Sequence, residues 1–165
     1  MNLITHVLNG VLIQLLCFAF FIFPFNFILT SIIAFLSHFI VDAFSKITYH
    51  TPEPHWDDKF WIFWNITVRV TGYVAIIIFY PYLLAIIFVN LPDIWDWTIV
   101  RRIQRRRNID RKIDYHRNNF FHRFVDIIRN KTLFWLPNWI YNKKGVMIEI
   151  LFVVTLIIGI TFLMI

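Results

Sequence analysis

Five apolar runs, each about 20 residues long, divide this chain, and no other feature limits its fold as strongly. A helix must be about that long to cross ~30 Å of hydrocarbon at 1.5 Å per residue. The runs cover residues 5–23, 25–44, 60–79, 81–100 and 146–165. Pro24 separates the first pair, Tyr80 and Pro81 join the third to the fourth, and polar loops occupy 45–59 and 101–145. The fourth run is clean only to Leu91, where Pro92 is expected to interrupt it before WDWTIV completes the segment. At 59% hydrophobic and 19% aromatic, the 165 residues carry more apolar surface than a soluble domain of that size can hide. The expected fold is all-α: one polytopic helical membrane domain, 1–165, with five transmembrane helices and an amphipathic basic interfacial segment. The start, MNLITH, lacks a basic n-region and no small-residue cleavage site follows, so the N-terminus is expected in the mature protein. The lone cysteine, Cys17, falls inside an apolar run and reads as a small buried thiol.

Five crossings put the N-terminus and both polar loops on one side of the bilayer. Every Lys and Arg except Arg69 falls there, which by the positive-inside rule makes that side cytoplasmic and the C-terminus external. All six histidines, His6, His38, His50, His55, His116 and His122, gather on the same side. Part of this gathering is compulsory, because polar side chains avoid hydrocarbon.

Spacing adds chemistry. His38 and Asp42 stand four apart on a helix, one turn above each other, as a metal-binding pair requires. Asp93 and Asp96, three apart, also share a helical face. Imidazoles with carboxylates suit Zn, Mn or Fe, whereas an all-oxygen shell would suit Mg or Ca. The bland readings are an interfacial polar pair for His38 and Asp42, and a helix cap after Pro92 for the two aspartates.

The motifs TH at 5–6, SHFIVD at 37–42, PHWD at 54–57, LPDIWD at 91–96 and FFHR at 120–123 follow one another in this order. In this the chain resembles the small membrane-bound metal-dependent hydrolases of the YdjM-like group, and the resemblance covers nearly its whole length. It implies a metal site drawn from His6, His38, Asp42, His55, Asp93 and Asp96, for which the donor chemistry makes Zn the expected divalent ion and Mn or Fe the alternatives. Asp93 would be a ligand or the general base, with His116 or His122 near the reaction centre. It names hydrolysis but no substrate.

The 101–145 loop interleaves Arg and Lys with Ile103, Ile109, Ile113, Phe120, Phe124 and Ile127. Such a segment lies on anionic lipid head groups, with its apolar side chains dipping beneath. A positive-inside anchor suffices to explain it. The sharper reading gives Arg117 and Arg123 a phosphate to hold, because a guanidinium matches phosphate bidentately. Nucleic acid fits the charge alone and has no recognised fold to support it. Arg69, in the middle of the third run, needs a bundle interior, water or a carboxylate, and is a candidate substrate-binding or site-orienting residue. Trp95, Trp97, Trp135, Trp139 and Tyr141 read as an aromatic belt. The leading expectation is a membrane-embedded hydrolase acting at the cytoplasmic face on a lipid-borne or membrane-adjacent ester or phosphoester. The alternative is a non-catalytic membrane protein in which the same cluster holds a structural or transported metal.

Overall fold

Each apolar run is helical in the computed structural model, which describes residues 1–51, 55–103 and 119–165 in full and 104–106 as backbone. His116 and Arg117 fall outside the described residues. The helices are α1 (Leu3–Phe20), α2 (Phe25–Phe44), α3 (Lys59–Ile78), α4 (Leu83–Asp93), α5 (Arg101–Arg106), α6 (His122–Lys131) and α7 (Gly145–Met164). Five spans, Leu3–Phe20, Phe25–Ile47, Lys59–Ile78, Tyr80–Ile103 and Gly145–Met164, are long and apolar enough to cross a membrane. The described residues contain no strand.

Helix α1 forms the hub, packing on α2, α3, α4 and α7. Half of its apolar window is buried, against 11% for α7, whose Leu151, Ile158 and Phe162 face outward. An outer surface of bare Phe, Ile and Leu is stable only in an apolar solvent, and lipid tails supply it. Val7, Leu8 and Val11 of α1 meet Ala75, Ile86 and Ile160 in one buried cluster. Cys17 sits with Ile13, Ala34, Ala85 and Val89 in a second, as a free buried thiol. Close approach of α1 to α4 depends on Gly10, where a Cβ would lie 3.1 Å from the Ala85 carbonyl oxygen. Gln14 Oε1 accepts the Ala85 N–H at 3.1 Å, satisfying one of the donors left open at the start of α4.

Pro92 does not interrupt the fourth span. It lies inside α4, and the helix runs on through a π-helical stretch, Ile94–Val100, into α5. A proline removes one backbone donor, and a local widening of the helix is one way to absorb it; such widenings are frequent at functional sites.

One end of the bundle carries the polar structure. There α6 lies against α2, with Val125 packed on Phe39 and Ala43. Arg129 Nη2 donates to the Asp42 carbonyl at 3.2 Å and to Ser45 Oγ at 3.0 Å, placing a cation on the final turn of α2, where the helix dipole favours it. The chain after α2 is tied down by Trp139 N–H to Lys46 O at 2.7 Å and His50 N–H to Ile140 O at 3.1 Å. Glu149, buried in α7, accepts from Asn2 N–H at 3.1 Å and Thr5 Oγ1 at 3.2 Å, fastening α7 to the start of α1.

Candidate metal centre

At that end α2 delivers His38 and Asp42, α4 delivers Asp93, and the first residue of α6 is His122. One donor atom from each of these four lies within 4.8 Å of the others. His38 Nε2 is 3.5 Å from Asp42 Oδ2 and 3.9 Å from Asp93 Oδ1, while His122 Nε2 is 3.4 Å and 3.3 Å from the same two oxygens. Four ligands at ~2.1 Å around a tetrahedral ion would be separated by about 3.4 Å. The four side chains therefore already stand near the edges of such a shell.

The tautomers point the same way. His38 is fully buried, and its Nδ1 lies 2.8 Å from the Val89 carbonyl oxygen, which can only accept. Nδ1 therefore carries the proton, and in the neutral ring Nε2 offers a lone pair. That atom is buried without a hydrogen-bond partner and faces two carboxylates. A lone pair opposed to carboxylates is unfavourable unless a cation lies between them.

His122 repeats the device with a different acceptor. Its Nδ1 lies 2.7 Å from Asp96 Oδ2, so Nε2 again points at Asp42 and Asp93. Asp96 is fully buried and also accepts the N–H groups of Phe120 at 3.1 Å, Phe121 at 3.0 Å and His122 at 2.9 Å. It thus holds the open donors at the start of α6 and aims the ring with one carboxylate. Burial opposes a charge on His122, but its hydrogen bonds with Asp42, Asp93 and Asp96 more than offset this and raise its pKa to about 10. The field that keeps a proton on this ring equally attracts a divalent cation.

The remaining sequence candidates occupy distinct places. His6 Nε2 donates to Asp42 Oδ1 at 3.0 Å, and its ring stacks on His38 at 4.6 Å, so it steadies both without joining the four donors. The Met1 amino group also contacts Asp42 Oδ1. Asp96, expected among the ligands, sits behind His122 because its oxygens are taken by backbone N–H groups and Nδ1. His55, also expected among them, lies in the loop beside Trp61 and Tyr141 and outside the group of four. Asp93 and His122, expected in catalytic roles, are both among the four. Arg123 is exposed on α6.

A cleft of about 800 Å³ opens onto Asp42, Asp93 and His122 and extends along α3 to Arg69. Trp97 borders it, donating from Nε1 to Asp93 Oδ1 at 3.0 Å while the Arg101 guanidinium stacks on its ring at 3.9 Å. Sequence reasoning missed the Val89 carbonyl and the Arg129 clamp. A backbone acceptor leaves no trace in residue identity, and Arg129 looks like any other basic residue of its loop.

The chain matches no protein-family model, and no curated protein or solved structure proved similar to it.

Proposed function

We propose that this chain is a membrane-embedded, metal-dependent hydrolase that cleaves a lipid-borne or membrane-adjacent ester or phosphoester at the cytoplasmic face. What carries the reading is the pair of imidazoles whose Nδ1 atoms are tied to acceptors, so that both Nε2 atoms converge with Asp42 and Asp93 at the head of a cleft. Imidazole nitrogens together with carboxylate oxygen suit Zn first, with Mn and Fe next. Such an ion supplies Lewis acidity toward an ester or phosphoryl oxygen and acidifies water at neutral pH. His38, Asp42 and His122 would hold it. Asp93, the most exposed of the four carboxylate and imidazole groups at 31%, faces the cleft and is placed to take a proton from water. Trp97 donates to Asp93 Oδ1 and holds that carboxylate in place.

Four protein donors could also close a tetrahedral shell, as in a structural site. The cleft favours catalysis, because it reaches three of the four. Purified protein in mild detergent should contain one equivalent of divalent metal, lost in His38→Ala, and should release p-nitrophenol from an ester or phosphoester reporter in a metal-dependent manner. Metal without any hydrolysis supports the structural or transported-metal reading, and absence of stoichiometric metal overturns both. Sidedness is tested separately. A reporter fused after Ile165 should be found outside the cell, and its detection in the cytoplasm would overturn the assignment.

A further inference from the structure

We propose that the cleft admits a phosphate-bearing membrane lipid sideways from the bilayer, and that Arg69 binds its phosphate. The proposal rests on the hydrolase reading for what happens next and narrows the substrate to an amphiphilic phosphoester.

Arg69 lies ten residues beyond Lys59 in a span apolar enough to cross the membrane, and Gly72, three residues further on, meets Leu3 at the start of α1, so this part of α3 stands beside the polar end of the bundle. A guanidinium within such a span must face water, a bundle interior or a counter-ion. Among the described residues Arg69 has no carboxylate partner, its side chain is exposed, and it lines the cleft. The nearby wall is rich in donors. Trp64 lines the same cleft with a buried Nε1–H that has no acceptor, and Asn65 stands one turn before Arg69 on the same face. The carboxylates that line the cleft are engaged elsewhere: Asp42 and Asp93 face the histidines, and Asp126 pairs with Arg129. An unpaired cation and unmatched donors lining one cleft call for a ligand with several anionic acceptors, and phosphate is the group a guanidinium matches bidentately.

The shape of the cleft decides between a lipid phosphate and a free one. Helix α3 packs on α1 and has no extensive packing against α4, whose continuation forms the opposite wall. Ile66 lines the cleft and is itself 56% exposed, and Val70 and Tyr73, just beyond Arg69, are also exposed. The cleft is thus continuous with the lipid-facing surface of α3. Its volume suits a head group with the start of its chains, leaving the rest of the tails in the bilayer.

The test uses the full chain in mild detergent, stripped of metal with EDTA so that binding is read apart from turnover. The probe is dioctanoyl phosphatidate, with dioctanoylglycerol and inorganic phosphate as comparison ligands, and binding is followed by native mass spectrometry. Wild-type protein should retain the phosphatidate, Arg69→Gln should lose at least tenfold in affinity, and Arg69→Lys should fall between. Lys144→Gln, which removes an exposed charge outside the cleft, should match wild type. Removing a charge from a span does not threaten the fold, and equal thermal transitions of the variants confirm that. Equal retention by wild type and Arg69→Gln would overturn the proposal. So would competition by inorganic phosphate as effective as that of the lipid, or equal retention of dioctanoylglycerol. Metal content is measured on the same preparations before stripping. Normal metal with unaltered lipid binding in Arg69→Gln defeats the lipid proposal alone, whereas absent metal defeats the hydrolase reading alone.

Discussion

Two neighbouring stretches, 38–42 and 50–58, hold the same kinds of side chain and end in different surroundings. In the first, His38 and Asp42 sit on consecutive turns of α2, buried, with the ring of His38 locked by Val89 and the carboxylate of Asp42 met by His6. In the second, His50 and Asp57 are exposed, His55 leans on Trp61 and Tyr141, and Asp58 accepts the Phe60 N–H at 2.8 Å as the cap of α3. Residue type is the same in both, so it cannot be what sets a candidate ligand apart. What differs is whether a rigid element holds the donor atom and whether a second group dictates its tautomer.

Alanine substitutions break the comparison most directly. His38→Ala, Asp42→Ala and His122→Ala should each reduce bound metal at least tenfold, whereas His50→Ala and His55→Ala should leave it near the wild-type level, by elemental analysis of purified protein. If all five behave alike, the polar end of the bundle is interfacial polarity and nothing more.

A smaller effect is expected from Asp96→Asn, which keeps the side-chain volume while weakening the grip on Nδ1 of His122. Metal affinity should fall by roughly 10- to 100-fold, as for other groups that aim a ligand. Isothermal titration of the stripped protein would show it, and an unchanged affinity would mean that α6 positions His122 without help.

Gly145→Ala asks whether the loop stretch matters to the site at all. A Cβ there would run into the backbone of Thr48 and Tyr49, which have no side-chain freedom to yield. Overpacking of this kind costs about 1–3 kcal/mol. Thermal unfolding in detergent should fall accordingly while metal content per folded molecule holds, and loss of metal at unchanged stability would tie the loop to the centre.

The least effect belongs to Asp58→Ala. Burial nudges this carboxyl upward, but the Phe60 N–H and Lys143, 3.3 Å away, together hold its pKa below the usual aspartate value. A depressed folded pKa means that its small contribution to stability is present above the ordinary aspartate pKa and disappears as pH falls through the lower folded value. A pH titration of the thermal midpoint, wild type against Asp58→Ala, should converge only in acid, with metal content equal throughout.

Much of this protein is written locally. The five spans follow from apolar length alone, and the helix boundaries fall within a few residues of where hydropathy puts them, because each helix satisfies its own backbone and needs only an apolar solvent around it. The pairing of His38 with Asp42 is equally legible, since an i,i+4 spacing fixes a shared face. Only the tertiary structure decided the rest. Whether Pro92 would end a helix or be absorbed by a π-helical stretch depends on how the surrounding span continues, and here the continuation carries Asp93 and Asp96 into different tasks. His122 is far from His38 in sequence and meets it because α6 docks on α2 through Val125 and Arg129 while Asp96 gathers the N–H groups at the helix start. The acceptor that locks His38 is a backbone carbonyl, a group every residue owns, so its position can be read from packing and from nothing in the order of side chains.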